Sequence, residues 1–201
     1  TFVVIFWATF EQAGGLLNLF AEKYTDRTVG VFTVPTGWFQ SLNPLFIVLL
    51  GLPFSMLWSK LGERGRNPAT PVKMYLGLAQ VALGFVFLVI AVFEMQRTGD
   101  MKSGMIWLVL GYLFHTTGEL CLSPVGLSAM NRLAPVHMAS LIMGTWFFAS
   151  ATGNFAAGLI ASATGSEHAS GEGAGKELVM SVYGTIGLYA IGFGILVVIV
   201  S

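Results

Sequence analysis

The chain has 201 residues, of which 55% are hydrophobic and only 10% charged, with ten basic side chains balanced by ten acidic ones. So small a charged share points to a membrane protein rather than a soluble domain, and a net charge of zero gives no basis for a nucleic-acid partner. The lone cysteine, Cys121, excludes an internal disulfide and any thiolate metal cluster, and its apolar neighbours mark it as an inert buried thiol.

The first residue, Thr1, already lies inside a hydrophobic run with no signal-peptide pattern, so the sequence reads as a piece of a longer polypeptide. Runs of about twenty apolar residues suffice to cross a bilayer as helices. They are expected over residues 1–21, 38–59, 74–93, 105–130, 138–163 and 179–200, as an all-α bundle of six transmembrane helices. The runs are apolar all round and lack the alternation of a barrel, and backbone groups in lipid must be satisfied internally.

In the first span Trp7, Glu11, Gly15 and Asn18 follow one helical face at spacings of four, four and three. Gln40, Asn43 and Ile47 share a face of the second, where Pro44 is expected to free the carbonyl of Gln40; Pro53 reads as a kink. The loop that follows carries Lys60, Arg64, Arg66 and Lys73 against Glu63 alone, the densest basic cluster and the best cytoplasmic candidate. Adding Arg132 gives that side five basic residues, and the opposite side also has five: Lys23, Arg27, Arg97, Lys102 and Lys176. Local density, not the total, sets the expected orientation.

Gly77 and Gly84 line a face of the third span, and Ala149, Gly153, Ala157 and Ala161 a face of the fifth. Such stripes of small residues let helices approach closely in lipid. On the fourth span His115, Glu119 and Ser123 share a face, and Pro124 is expected to free the carbonyl of Leu120. A lone membrane histidine such as His115 is more often a neutral hydrogen-bonding residue than a titrating one.

Only Glu11 and Glu119 are acidic residues inside spans. A rise of 1.5 Å per residue puts Glu11 roughly 15 Å into its helix and Glu119 roughly 20 Å into its own, both near the bilayer midplane. An ionised carboxylate there costs about 2.5–3.5 kcal/mol. For either group alone a protonated acid bonded to a neighbouring helix is the lesser reading, and for the pair it is weaker still. Two in one bundle, beside prolines and amides, suggest a proton or substrate pathway. No nucleophile–base pair, metal set or phosphate-binding loop accompanies them, so no enzyme and no cofactor is expected.

Several strings together resemble the proton-coupled oligopeptide transporter family of the major facilitator superfamily. "FWATFEQAGGLLNLFAEKYTDR" looks like that family's seventh helix and "WFQSLNPLFIVLLG" like its eighth. "GELCLSPVGLS" with "MNRLAP" resembles the tenth, and "SLIMGTWFFASATGNFAAG" the eleventh. "SKLGERGR" is similar to the superfamily loop motif between the eighth and ninth helices.

The resemblance implies the C-terminal half of a twelve-helix carrier, both ends cytoplasmic, in a bacterial inner membrane. The family's E-x-x-E-R motif belongs to the N-terminal six-helix bundle and does not occur here. The implied function is proton-coupled import of di- and tripeptides by alternating access, with the proton as coupling ion. By resemblance Glu11 takes part in proton coupling and gating, Glu119 receives the peptide ammonium, Asn43 assists, and Trp7, Trp146 and Ser123 line the pocket. A major facilitator carrier of a non-peptide solute, an amine drug or nitrate, and a non-transporting membrane module stay open as alternatives. Nitrate fits poorly with Glu119.

Overall fold

Among the described residues each long apolar run is helical, and the breaks between helices fall where glycine, proline or charge interrupts the run. The computed structural model describes residues 2–167. The expected span 179–200 lies outside the described residues. In chain order, α1 covers Phe2–Phe10, a 3-10 turn Glu11–Ala13 and α2 Leu16–Lys23. Then come β1 (Thr25–Asp26), β2 (Thr28–Val29), β3 (Phe32–Thr33), α3 (Thr36–Gln40) and α4 (Leu42–Glu63). They are followed by α5 (Thr70–Thr98), β4 (Ser103–Gly104), α6 (Met105–Leu133), a 3-10 turn Val136–Met138 and α7 (Ala139–Glu167). Among the described residues four helical segments, Val3–Lys23, Thr36–Glu63, Thr70–Thr98 and Met105–Leu133, are long and apolar enough to cross a membrane.

Two expected helices differ from the continuous rods read from hydropathy. The first is interrupted after Phe10: Gly15 takes φ −98° and ψ −82°, outside the helical region, and the Gly14 N–H closes a 3.1 Å bond to the Glu11 carbonyl. Each glycine costs a helix roughly 1 kcal/mol relative to alanine, so the pair Gly14–Gly15 is the weakest point of the run. The second is divided at Ser41, which separates α3 from α4. Pro44 is therefore the third residue of α4, where the missing N–H would have no intrahelical partner, and the expected loss of a bond to Gln40 does not arise inside a helix. Pro53 and Pro124, by contrast, sit within the uninterrupted helices α4 and α6.

The ends of the bundle are set by short links. Gly65, at φ 64°, ends α4 in a Schellman turn, with the Arg66 N–H bonded to the Leu61 carbonyl at 2.9 Å. At the opposite end β2 and β3 form a hairpin, and β1 pairs in parallel with β4. The Ser103 N–H and hydroxyl both donate to the Tyr24 carbonyl, at 2.8 and 3.0 Å, so the link after α2 is tied to the link before α6.

The α5–α6 hairpin is the most closely packed pair, α1 lies on α7, and α4 rests on α6. Its closeness follows from glycine. A Cβ on Gly77 would stand 2.7 Å from the Gly118 carbonyl oxygen, and one on Gly118 2.6 Å from that of Gly77. Leu78, Val81, Phe85, Leu88, Leu108 and Tyr112 fill the same interface as the buried core. At Gly153 a Cβ would meet Trp7 at 2.6 Å and the Val4 carbonyl at 2.7 Å, so the small-residue stripe of α7 faces α1. Away from its contact with α6, α4 is uncovered by the described residues: Leu45, Val48, Leu49, Leu52 and Met56 are all exposed.

Candidate functional site

Glu119 is the middle residue of the 29-residue α6, and its depth follows directly from the length of that helix. The side chain is half-buried. Its Oε2 accepts a hydrogen bond from Asn43 Nδ2 at 3.1 Å. The same Nδ2 donates to Thr116 Oγ1 at 3.3 Å, and that hydroxyl in turn donates to the Tyr112 carbonyl at 2.8 Å. Asn43 thus bridges the first turn of α4 to the centre of α6. The break between α3 and α4 is what places it there: Ser41 ends one helix and Asn43 opens the next.

Tyr112, one turn before Thr116, is buried and donates its hydroxyl to the Ala13 carbonyl at 3.2 Å, on the turn that follows Glu11. Two successive turns of α6 therefore hold the broken segment of the first span and the start of α4. A cavity of about 140 Å³ lies between them, lined by Phe10, Ala13, Gly14, Gln40, Asn43, Tyr112 and His115.

Glu11 sits on the 3-10 turn, half-buried, with no hydrogen bond or ion pair to its carboxylate among the described residues. The Tyr112–Ala13 bond brings this turn to the face of α6 that carries Glu119. A carboxylate without a counter-charge is stable at such depth only when wet, protonated or paired with a cation from elsewhere.

The remaining expected residues fall nearby in less direct roles. Trp7 packs edge-on against Phe6 and Phe10, its Nε1 buried without a partner among the described residues. Ser123, one turn beyond Glu119, has a buried hydroxyl that is likewise unpartnered. Trp146 of α7 is buried against α6, where a Cβ on Gly126 would collide with its ring at 2.2 Å. His115 is buried: Nδ1 lies 2.8 Å from the Gly111 carbonyl, and the ring stands edge-on to Phe85 with centroids 4.8 Å apart. It fills the space above Gly84, where a Cβ would come within 2.6 Å of Nδ1, while Nε2 has no partner among the described residues.

Three contributors escaped sequence reasoning. Thr116 and Tyr112 lie three and seven residues before Glu119 on its own helical face, a spacing that could have flagged them. Gln12 is buried beside Glu11, and its Nε2 donates to the carbonyls of Ala8 at 3.0 Å and Ala157 at 3.4 Å, joining the break to α7. Among the described residues no cluster of three metal-ligating side chains occurs.

The sequence matches the POT family pattern over residues 1–180. It is 46% identical over 155 residues to the peptide transporter YePEPT of Yersinia enterocolitica subsp. palearctica, covering 77% of this chain and 30% of that protein. It is 37% identical over 153 residues to a di-/tripeptide transporter of Lactococcus lactis subsp. cremoris, covering 74% of this chain and 30% of the relative. The fold is similar to the crystal structure of a mutant peptide transporter POT in complex with alafosfalin, with a TM-score of 0.83 and 34% identity. That match covers 98% of this chain and 37% of the other. The chain spans about a third of the length of the curated relatives it matches. With the pattern covering most of the sequence and transporters as its relatives, the chain belongs to the POT family.

Proposed function

We propose that this chain is the C-terminal six-helix half of a proton-coupled symporter that imports di- and tripeptides across a bacterial cytoplasmic membrane. The observation that carries the reading is the Asn43–Glu119 pair at the centre of α6. A peptide's terminal ammonium offers three donors. Glu119 supplies a carboxylate for it, and the Asn43 side-chain carbonyl, which has no partner among the described residues, supplies a second acceptor. The hydrogen bond that Asn43 Nδ2 donates to Thr116 Oγ1 holds both in place before substrate arrives, which lowers the ordering cost of binding. Ser123, Trp7 and Trp146 line the rest of the pocket. The names of the relatives support the substrate class.

Glu11 is the coupling and gating residue in this reading. Its uncompensated carboxyl on a broken helix takes up and releases a proton, exchanging it for a salt bridge to the N-terminal six-helix bundle. Broken helices at membrane depth are the usual seat of coupling sites in transporters, since their backbone lines the cavity. Alternating access then rocks one bundle against the other across the bilayer, with no cofactor beyond the proton.

The deciding experiment is proton-driven uptake of a radiolabelled dipeptide by the full-length protein in liposomes. Uptake that collapses with Glu119→Gln and with dissipation of the gradient supports the reading. Uptake indifferent to both overturns it.

A further inference from the structure

A second and larger cleft, about 480 Å³, opens between the last turns of α4, the first turn of α5 and the second half of α6. It shares no lining residue with the cavity at Asn43. Its chemistry is different too. Two cations, Lys73 and Arg132, line it together with Thr70, Ser128 and Trp58, and no carboxylate does.

Lys73 is the informative member. It is only 8% exposed, its Nζ lies 4.4 Å from the centre of the Trp58 ring, and no ion pair with a described residue balances its charge. Buried charges are paired, as a rule, because an isolated ion loses its hydration without recompense. Trp58 itself lines the cleft, and its indole N–H is buried without a partner among the described residues. Thr70 opens the 29-residue α5, but Pro71 carries no N–H and the Lys73 N–H is bonded to the Ala69 carbonyl at 3.2 Å, so the charge facing the cleft comes from side chains and not from the helix end. Close in sequence, Lys60 and Glu63 in the last turn of α4 and Arg64 and Arg66 just after it add net positive charge at this end of α4.

We propose that this cleft binds a phosphate-bearing anion. The headgroup phosphodiester of an anionic phospholipid is the source that fits its depth. Lys73 and Arg132 neutralise the phosphate, with the Trp58 ring beneath Lys73 holding its ammonium in the cleft wall. Phe54 and Leu120, in the same lining, offer apolar surface to the first part of an acyl chain. Basic pockets between helices at a membrane's charged face suit this ligand, whereas zwitterionic lipid offers no net charge to hold. The inference does not depend on what the carrier transports.

The test uses the full-length protein in detergent, analysed by native mass spectrometry with added phosphatidylglycerol or phosphatidylcholine, and by calorimetry with inorganic phosphate. Wild type should retain phosphatidylglycerol in preference to phosphatidylcholine. Arg132→Gln should weaken retention about fivefold, the rough worth of one interfacial cation. Lys73→Gln with Arg132→Gln should abolish the preference, Lys73→Arg should keep it, and Lys60→Gln, outside the cleft lining, should barely change it. If inorganic phosphate binds in the same Lys73- and Arg132-dependent way while the two lipids bind alike, the anion is soluble and the site stands. If neither lipid preference nor phosphate binding responds to Arg132→Gln or to the double substitution, the proposal is wrong. Should Lys73→Gln fail to give monodisperse protein, Arg132→Gln and Lys73→Arg alone decide by the same readouts.

Discussion

Asn43 Nδ2 donates to Glu119 Oε2 across 3.1 Å, joining the first turn of α4 to the midpoint of α6. That bond sets a carboxylate and an amide carbonyl side by side at the depth where hydropathy alone says neither belongs. Removing the charge by Glu119→Gln should cost roughly 2–5 kcal/mol of dipeptide binding, at least about 30-fold in affinity. A dipeptide analogue lacking its terminal amine should bind wild type and Glu119→Gln equally. Competition against labelled substrate in liposomes measures both, and a full charge effect on the amine-free analogue would reject the ammonium assignment.

Asn43→Ala tests the bridge rather than the charge. Interhelical hydrogen bonds in membranes are worth about 0.6 kcal/mol on average, so the full-length protein should lose only a degree or two of thermal stability in detergent. Substrate affinity should fall by about tenfold or less, because Glu119 remains. A loss as large as that of Glu119→Gln would mean that Asn43 is the principal ligand.

Glu11 lies on the turn between α1 and α2, with no cation among the described residues to hold it. Glu11→Gln should abolish proton-driven accumulation while leaving counterflow exchange within about twofold of wild type. The two assays on one liposome preparation separate coupling from binding. Accumulation that survives would assign the proton elsewhere.

Gly118 and Gly51 make a matched pair for packing. A Cβ at Gly118 would stand 2.6 Å from the Gly77 carbonyl, whereas one at Gly51 meets nothing within 4 Å. Gly118→Ala should therefore destabilise by about 1–3 kcal/mol, and Gly51→Ala should be neutral or stabilise by up to about 1 kcal/mol through helix propensity. Thermal denaturation followed by size exclusion reads both. Equal melting temperatures for the two variants would show that α5 and α6 can part without cost.

At the looped end, Asp26 accepts the Thr28 N–H at 3.0 Å, and that bond, with the Lys102 charge, holds its carboxyl below the usual aspartate range. A pKa lowered by folding contributes stability above the unfolded value, about 3.9, and the contribution disappears as pH falls through the lower folded value. Protection of the Thr28 amide against hydrogen exchange should thus persist at neutral pH and fade only under strong acid. Asp26→Asn should show reduced protection at neutral pH, and the difference from wild type should shrink on acidification. A difference independent of pH would remove the carboxylate from the account.

Hydropathy and spacing carried the reading a long way. The apolar runs, the two carboxyls at depth and the small-residue faces at Gly77–Gly84 and Ala149–Gly153–Ala157 were all visible in the string. Gly111 and Gly118, the partners of the first glycine face, were not singled out, since a residue on one helix says nothing about which residue of another will oppose it. His115 shares the face of Glu119, and the sequence favours a neutral hydrogen-bonding residue there over a titrating one. In the fold it is a buried filler above Gly84, bonded to its own helix.

What the sequence determined by itself is depth: each side chain's place along the bilayer normal follows from its distance to the ends of its apolar run, because lipid admits little else than a helix. Azimuth belonged to the tertiary structure. These helices are apolar on nearly every side, so no hydrophobic stripe announces which face meets a neighbour. The close glycine contacts of α5 and α6, the break at Gly14–Gly15 and the turn at Ser41 decide it. They rotate Asn43 onto Glu119, bring the turn of Glu11 to the same face of α6, and leave Lys73 lining a cleft with no acid in its lining.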